Sequence, residues 1–139
     1  MIAYHHQTDF KIEDASKYTD WISRCIDLYN CTAGPIEYVF TSDEELLGIN
    51  QNHLNHDYYT DIITFQYSGP PELSGEIYIS IDRVRDNAET FNESFDRELK
   101  RVMIHGILHL LGFTDGTDLE KAEMRNREDE LIEMFHVKH

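Results

Sequence analysis

The sequence predicts an α+β fold, a small mixed sheet of four strands packed with about five helices in a single domain. Two observations carry this. Stretches with strand-like alternation and stretches with helical spacing follow one another as strand, helix, strand, helix, two strands and then helices only. A chain of 139 residues also suits one domain, long enough to build a proper core.

Taken in order, residues 1–12 read as a strand with a polar turn. His5 and His6 are adjacent there and project to opposite faces, so they do not share a metal. Asp14 to Tyr29 reads as a helix, because Trp21, Ile22, Cys25, Ile26 and Tyr29 form one apolar stripe. Gly34-Pro35 breaks the chain, and Ile36 to Thr41 is β-branched and aromatic enough for a strand. Ser42 or Asp43 caps the next helix, with Glu45 in its first turn and Leu46, Leu47 and Ile49 or Asn50 turned inward. That helix runs out near Leu54, and Asn55 to Tyr59 is a polar and aromatic loop. Thr60 to Tyr67 is a strand. The turn Ser68-Gly69-Pro70-Pro71 lays a second strand, Gly75 to Ile81, antiparallel to it. Asp82 to Phe91 reads as a helix carrying Arg83 and Arg85, and a long helix runs from Phe95 to Leu111. Leu119 to Phe135 is the last helix, with Met124, Leu131 and Met134 or Phe135 as a sparse apolar side; His136 to His139 frays.

Acids outnumber Lys and Arg by 27 to 12, a formal net charge of −15. That balance argues against the sequence-independent electrostatic grip of typical nucleic-acid binders, and it leaves room only for a small basic cleft on an acidic body. Cys25 and Cys31 have no metal-ligand spacing and read as reduced thiols of a cytoplasmic protein. The N-terminus has no basic segment followed by an apolar run, and no stretch approaches a membrane span, so no membrane partner is expected.

The most apolar helix carries the chemistry. His105 and His109 are one turn apart, so both imidazoles point the same way and can reach one ion. Burying two imidazoles without a partner is costly, and a metal supplies that partner. Gly112 accepts positive φ, which lets the chain reverse and present Asp115. The result is a zincin-like metal helix with His, His and Asp as ligands and room for water in the fourth position, suited to one zinc ion or another divalent transition metal. Zinc peptidases place a general-base Glu directly after their first His. Gly106 stands there, which ranks proteolysis low. Such a metal can still activate water or polarise a phosphate oxygen for phosphodiester hydrolysis. Asp61 and His56 are the nearest candidates for a proton-handling or substrate-facing group. Their plainer readings are a strand-end turn residue and a solvated loop residue.

With His105-Gly-Ile-Leu-His109-Leu-Leu-Gly112-Phe113 in place, the chain resembles the YbeY family of ribosomal-RNA maturation factors, whose signature is His-Gly-x-Leu-His-Leu-x-Gly-Tyr-Asp-His. Thr60-Asp61-Ile62-Ile63-Thr64-Phe65 resembles the family's Thr-Asp-Val-Leu-Ser-Phe strand, and Gly75-Glu76-Ile77-Tyr78-Ile79-Ser80 its Gly-Asp-Ile-x-Ile-Ser strand. The resemblance implies a single-domain α+β fold, a bound zinc or similar ion, and a single-strand-specific endoribonuclease. It further implies a role in maturing the 3′ end of small-subunit (16S) ribosomal RNA and in ribosome quality control, with ribosomal RNA and the small subunit as partners. Two departures stand out. Asp115 falls where the signature ends in His, and Leu54 falls where the family carries an Arg thought to help catalysis, with His53 and His56 beside it.

A rival reading is a metal-stabilised ribosome-assembly or RNA-binding factor with little catalysis of its own. Its acidic body would dock on a basic ribosomal protein, and Arg83, Arg85, Lys100 and Arg101 would form a local patch facing RNA. An open position on the metal favours the hydrolase, and a fourth protein ligand favours the assembly factor.

Overall fold

Alternating and helical segments assemble into one sheet covered by helices, in a computed structural model that describes residues 1–53 and 59–136. The elements run β1 (Ile2–His6), α1 (Ala15–Leu28), β2 (Thr32–Thr41), α2 (Asp43–His53), β3 (Ile62–Ser68), β4 (Glu72–Ser80), α3 (Ile81–Thr90), α4 (Phe95–Leu110) and α5 (Asp118–Glu133), with a short 3-10 turn at Met134–His136. The sheet order is β1-β2-β4-β3. β1 and β4 both pair parallel with β2, and β3 pairs antiparallel with β4 through the Gly69-Pro70-Pro71 turn. The sheet is therefore mixed and four-stranded, as the sequence predicts.

β2 differs from its sequence reading. It starts at Thr32, not Ile36, so Gly34-Pro35 lies inside the strand. The pair sits at a register irregularity between Ala33 and Ile36, where a proline without an N–H does little harm. Glycine is required there, because a Cβ on Gly34 would stand 2.9 Å from the Leu73 carbonyl oxygen. The same pairing carries β4 back to Glu72.

Serines and a threonine set the helix starts. Ser80 and Ser94 accept hydrogen bonds from the backbone N–H of Arg83 and Arg97, and Thr117 with Glu120 forms a full capping box at the head of α5. α4 is the central element. From Glu98 to Leu110 every residue but His105 and His109 is buried. Tyr38 of β2 donates to the Met103 carbonyl at 2.9 Å, and the Trp21 indole donates to the Leu131 carbonyl at 2.7 Å, which ties the sheet to α4 and α1 to α5. No helix among the described residues is long and apolar enough to cross a membrane.

Candidate metal centre

The turn after α4 builds the site. Gly112 adopts φ +105°, a conformation that favours glycine, and the N–H groups of Gly112 and Phe113 donate to the His109 and Leu108 carbonyls. The chain then doubles back and carries Asp115 to the two imidazoles. His105 Nε2 lies 2.9 Å from His109 Nε2 and 3.4 Å from Asp115 Oδ2, and His109 Nε2 lies 3.8 Å from the same oxygen. Donor atoms on a tetrahedral zinc stand roughly 3.3 Å apart, so this triangle brackets the spacing an ion needs. Among the described residues, these three are the one group of His, Cys, Asp and Glu side chains able to hold a metal, and no fourth protein ligand joins them.

Both imidazoles are oriented from behind. His105 Nδ1 meets Glu128 Oε2 at 2.6 Å, so that nitrogen carries the proton and Nε2 keeps its lone pair for a ligand. Glu128 is itself buried and accepts from Arg101 Nη1 at 3.0 Å, while Arg101 Nη2 reaches Asp129 at 2.8 Å. Burial alone would lower the His105 pKa, yet the hydrogen bond and charge of Glu128, with Asp115 and Asp61 behind it, lift it above the ordinary histidine value. His109 moves the other way, lowered by burial and by the neighbouring His105, while a hydrogen bond to the Phe113 main chain supports it. Each imidazole thus has an outside anchor, the arrangement that fixes metal-binding histidines.

A cleft of about 340 Å³ opens beside the trio, lined in part by Asp61, Asn87, Phe91, Glu98, His105, Asp115, Lys121, Arg125 and Glu128. Asp61 precedes β3 on its wall. Its Oδ2 accepts from Asn87 at 3.3 Å, and burial raises its carboxyl above the usual range against the pull of His105 and Arg83. His56 and Leu54 lie outside the described residues, as does the side chain of His53.

The expected basic patch does not form. Arg101 is buried in its ion pairs, and Lys100 is buried with its ammonium 4.2 Å from the Phe135 ring and 5.5 Å from that of Tyr18. Arg83 is held by Asp43 at 2.9 Å, and Arg85 stands exposed over the Phe95 ring. The reason is the near-complete burial of α4, which turns its cations into core residues. Glu128 was missed in the sequence. The available signal was an acid in helical register with Met124, Leu131 and Ile132, inside the buried stripe of α5.

Fold and site together define a small α+β protein in which two imidazoles and a carboxylate, able to hold a metal ion, converge at the edge of a cleft of mixed lining. Comparison with known proteins narrows the class. The family model described as "Endoribonuclease YbeY" matches residues 2–136. A protein named Endoribonuclease YbeY from Flavobacterium psychrophilum is 49% identical over 138 residues, covering 99% of each chain. Its namesake from Bacteroides thetaiotaomicron is 44% identical, covering 96% of this chain and 99% of the other. A solution structure of a Thermotoga maritima protein superposes with a TM-score of 0.69 at 26% identity, covering 97% of this chain and 89% of that one. The chain belongs to the YbeY endoribonuclease family.

Proposed function

We propose that this chain is a metal-dependent endoribonuclease that hydrolyses single-stranded RNA, with one zinc ion held by His105, His109 and Asp115. The observation that carries the reading is the convergence of three donor atoms at the edge of a polar cleft, each imidazole anchored from behind and no fourth protein ligand among the described residues. A bound divalent ion supplies Lewis acidity toward a phosphate oxygen and a lowered water pKa. Glu128 keeps the proton on His105 Nδ1, and Arg101 holds Glu128 aimed by donating to its Oε1. Asp115 adds the negative charge that a third imidazole would lack. Asp61, with Oδ2 held by Asn87, would take a proton from the water whose oxygen bonds to phosphorus and return it to the ribose oxygen as the phosphorus–oxygen bond to that leaving group breaks. Burial raises that carboxyl above its usual range, which makes its ionised form a stronger base for the step. His56 stands as a second candidate for proton handling.

Within that reading, the substrate is the 3′ end of 16S ribosomal RNA, and the protein works with the small subunit in ribosome maturation and quality control. The setting is the cytoplasm, in keeping with two free cysteines. The test joins metal analysis to cleavage of single-stranded and duplex RNA. Wild type is expected to carry about one equivalent of zinc and to cut only the single strand, with His109→Ala losing both properties. Undiminished cleavage by His109→Ala sinks the reading.

A further inference from the structure

On a chain of net charge −15, most arginines are spoken for by acids: Arg24, Arg83, Arg97 and Arg101 all sit in ion pairs. Lys121 and Arg125 do not. Among the described residues neither forms an ion pair or a side-chain hydrogen bond, both are exposed, and both line the cleft beside the metal trio. They are four apart on α5, so they share one face and stand about one 5.4 Å turn apart along the axis. Deeper along that face lie Met124 and Glu128, both buried. The cations therefore occupy the outer edge of the wall whose inner end supports His105.

Facing them is Phe91, just past α3. It is 53% exposed although it is a large apolar ring, and it also lines the cleft. Arg125 Cζ lies 6.0 Å from its centroid, so the guanidinium flanks the ring and leaves much of it open. Of the four acids that line the cleft, two are withdrawn and two, Asp61 and Asp115, are half-buried beside the imidazoles. Glu98 and Glu128 are buried, and Glu128 is matched by Arg101. An incoming strand meets two exposed cations outside any ion pair, Arg125 beside the Phe91 ring and within electrostatic reach of buried Glu98, a half-open aromatic face, and the His105, His109 and Asp115 trio.

We propose that Lys121, Arg125 and Phe91 form a clamp for single-stranded RNA, in which the cations take backbone phosphates and Phe91 stacks an unpaired base. The proposal rests on the endoribonuclease reading and adds the residues that position its substrate. Free cations beside an exposed ring are the combination that holds single strands without reading sequence. A ring at that place also selects against duplex, whose bases are already stacked on one another.

The three residues leave different signatures. Binding of a fluorescein-labelled, unstructured phosphorothioate RNA is followed by anisotropy across a KCl series, using metal-loaded protein. Lys121→Gln and Arg125→Gln are each expected to reduce the slope of log K against log [KCl] by about 0.7, the value for one phosphate contact on a single strand. Phe91→Ala is expected to weaken binding about tenfold at every salt concentration with the slope unchanged, and Phe91→Trp to restore it. Both glutamines replace exposed helix residues with a good helix former, and unchanged metal content confirms an intact site. Wild-type slopes in both charge variants, or wild-type affinity in Phe91→Ala, overturn the clamp. Cleavage of unmodified RNA by wild type separates the two levels. If wild type cuts RNA while the slopes stay fixed, the clamp alone falls. If the slopes shift and nothing is cut, the clamp stands and the enzymatic reading falls.

Discussion

Replacing Glu128 by Gln tests whether the site depends on its supporting carboxylate. Each oxygen of Glu128 has its own donor: Oε2 takes His105 Nδ1 at 2.6 Å and Oε1 takes Arg101 Nη1 at 3.0 Å. A glutamine has one carbonyl oxygen and one NH2, so one of the two donors must face an amide nitrogen, and the negative charge behind His105 is gone. Loss of such a partner weakens metal binding by roughly 10- to 100-fold, about 1.4 to 2.8 kcal/mol. Arg101 keeps its Asp129 bond, so the fold should survive; Glu128→Ala, by contrast, strips two buried donors at once and costs about 3 to 5 kcal/mol of stability. The pH dependence follows from His105, whose pKa is raised above its ordinary value of 6.5. A raised histidine stabilises the metal-free fold fully below its unfolded pKa and loses that contribution as pH rises through the folded one. A metal must expel the same proton, so wild-type affinity climbs with pH over that window, and in Glu128→Gln the climb shifts to lower pH. Competition titration against a chelator reads both effects. Metal affinity in Glu128→Gln indistinguishable from wild type at neutral pH would refute the claim that Glu128 tunes the centre.

Two further outcomes are expected. Asp115→Ala should weaken metal affinity at least as much as a supporting-residue loss, Asp115→His should restore it, and Asp118→Ala should leave it unchanged; titrations with the roles of Asp115 and Asp118 exchanged would move the third ligand one turn along the chain. Burial raises the Glu98 carboxyl from 4.5 to about 7 against the pull of Arg101, so the folded state holds that proton more tightly than the unfolded state does. Stability of the metal-stripped protein should then fall by up to roughly 3 kcal/mol as pH rises through that window, and Glu98→Gln should remove that part of the slope. Urea unfolding on either side of the window decides it, and equal losses in both proteins would count against the buried-acid account.

Local pattern was enough for what local pattern controls. The Gly69-Pro70-Pro71 turn announced the β3–β4 hairpin, and the spacing of His105, His109 and Gly112 announced the helix, its reversal and the return of Asp115. Strand bounds at Gly34-Pro35 were not legible, because the close approach to Leu73 that admits them involves a partner remote in sequence. The fate of Lys100 and Arg101 was hidden for the same reason. Seen along the chain they are cations on a helix. Only when α5 brings Glu128 and Asp129, and the 3-10 turn brings Phe135, does their burial make sense.

The hydrogen bond from His105 to Glu128 has a consequence for timing during synthesis. All three candidate metal ligands precede α5 in the chain, yet the carboxylate that aims the first of them sits in the second half of that helix, which docks on α1 through Trp21 and Leu131. A growing polypeptide that has reached Asp115 holds all three candidate ligands without the carboxylate that orients His105. If the three side chains hold an ion, its full affinity is therefore expected only once α5 has been made and docked, with the roughly 10- to 100-fold share that Glu128 contributes arriving last.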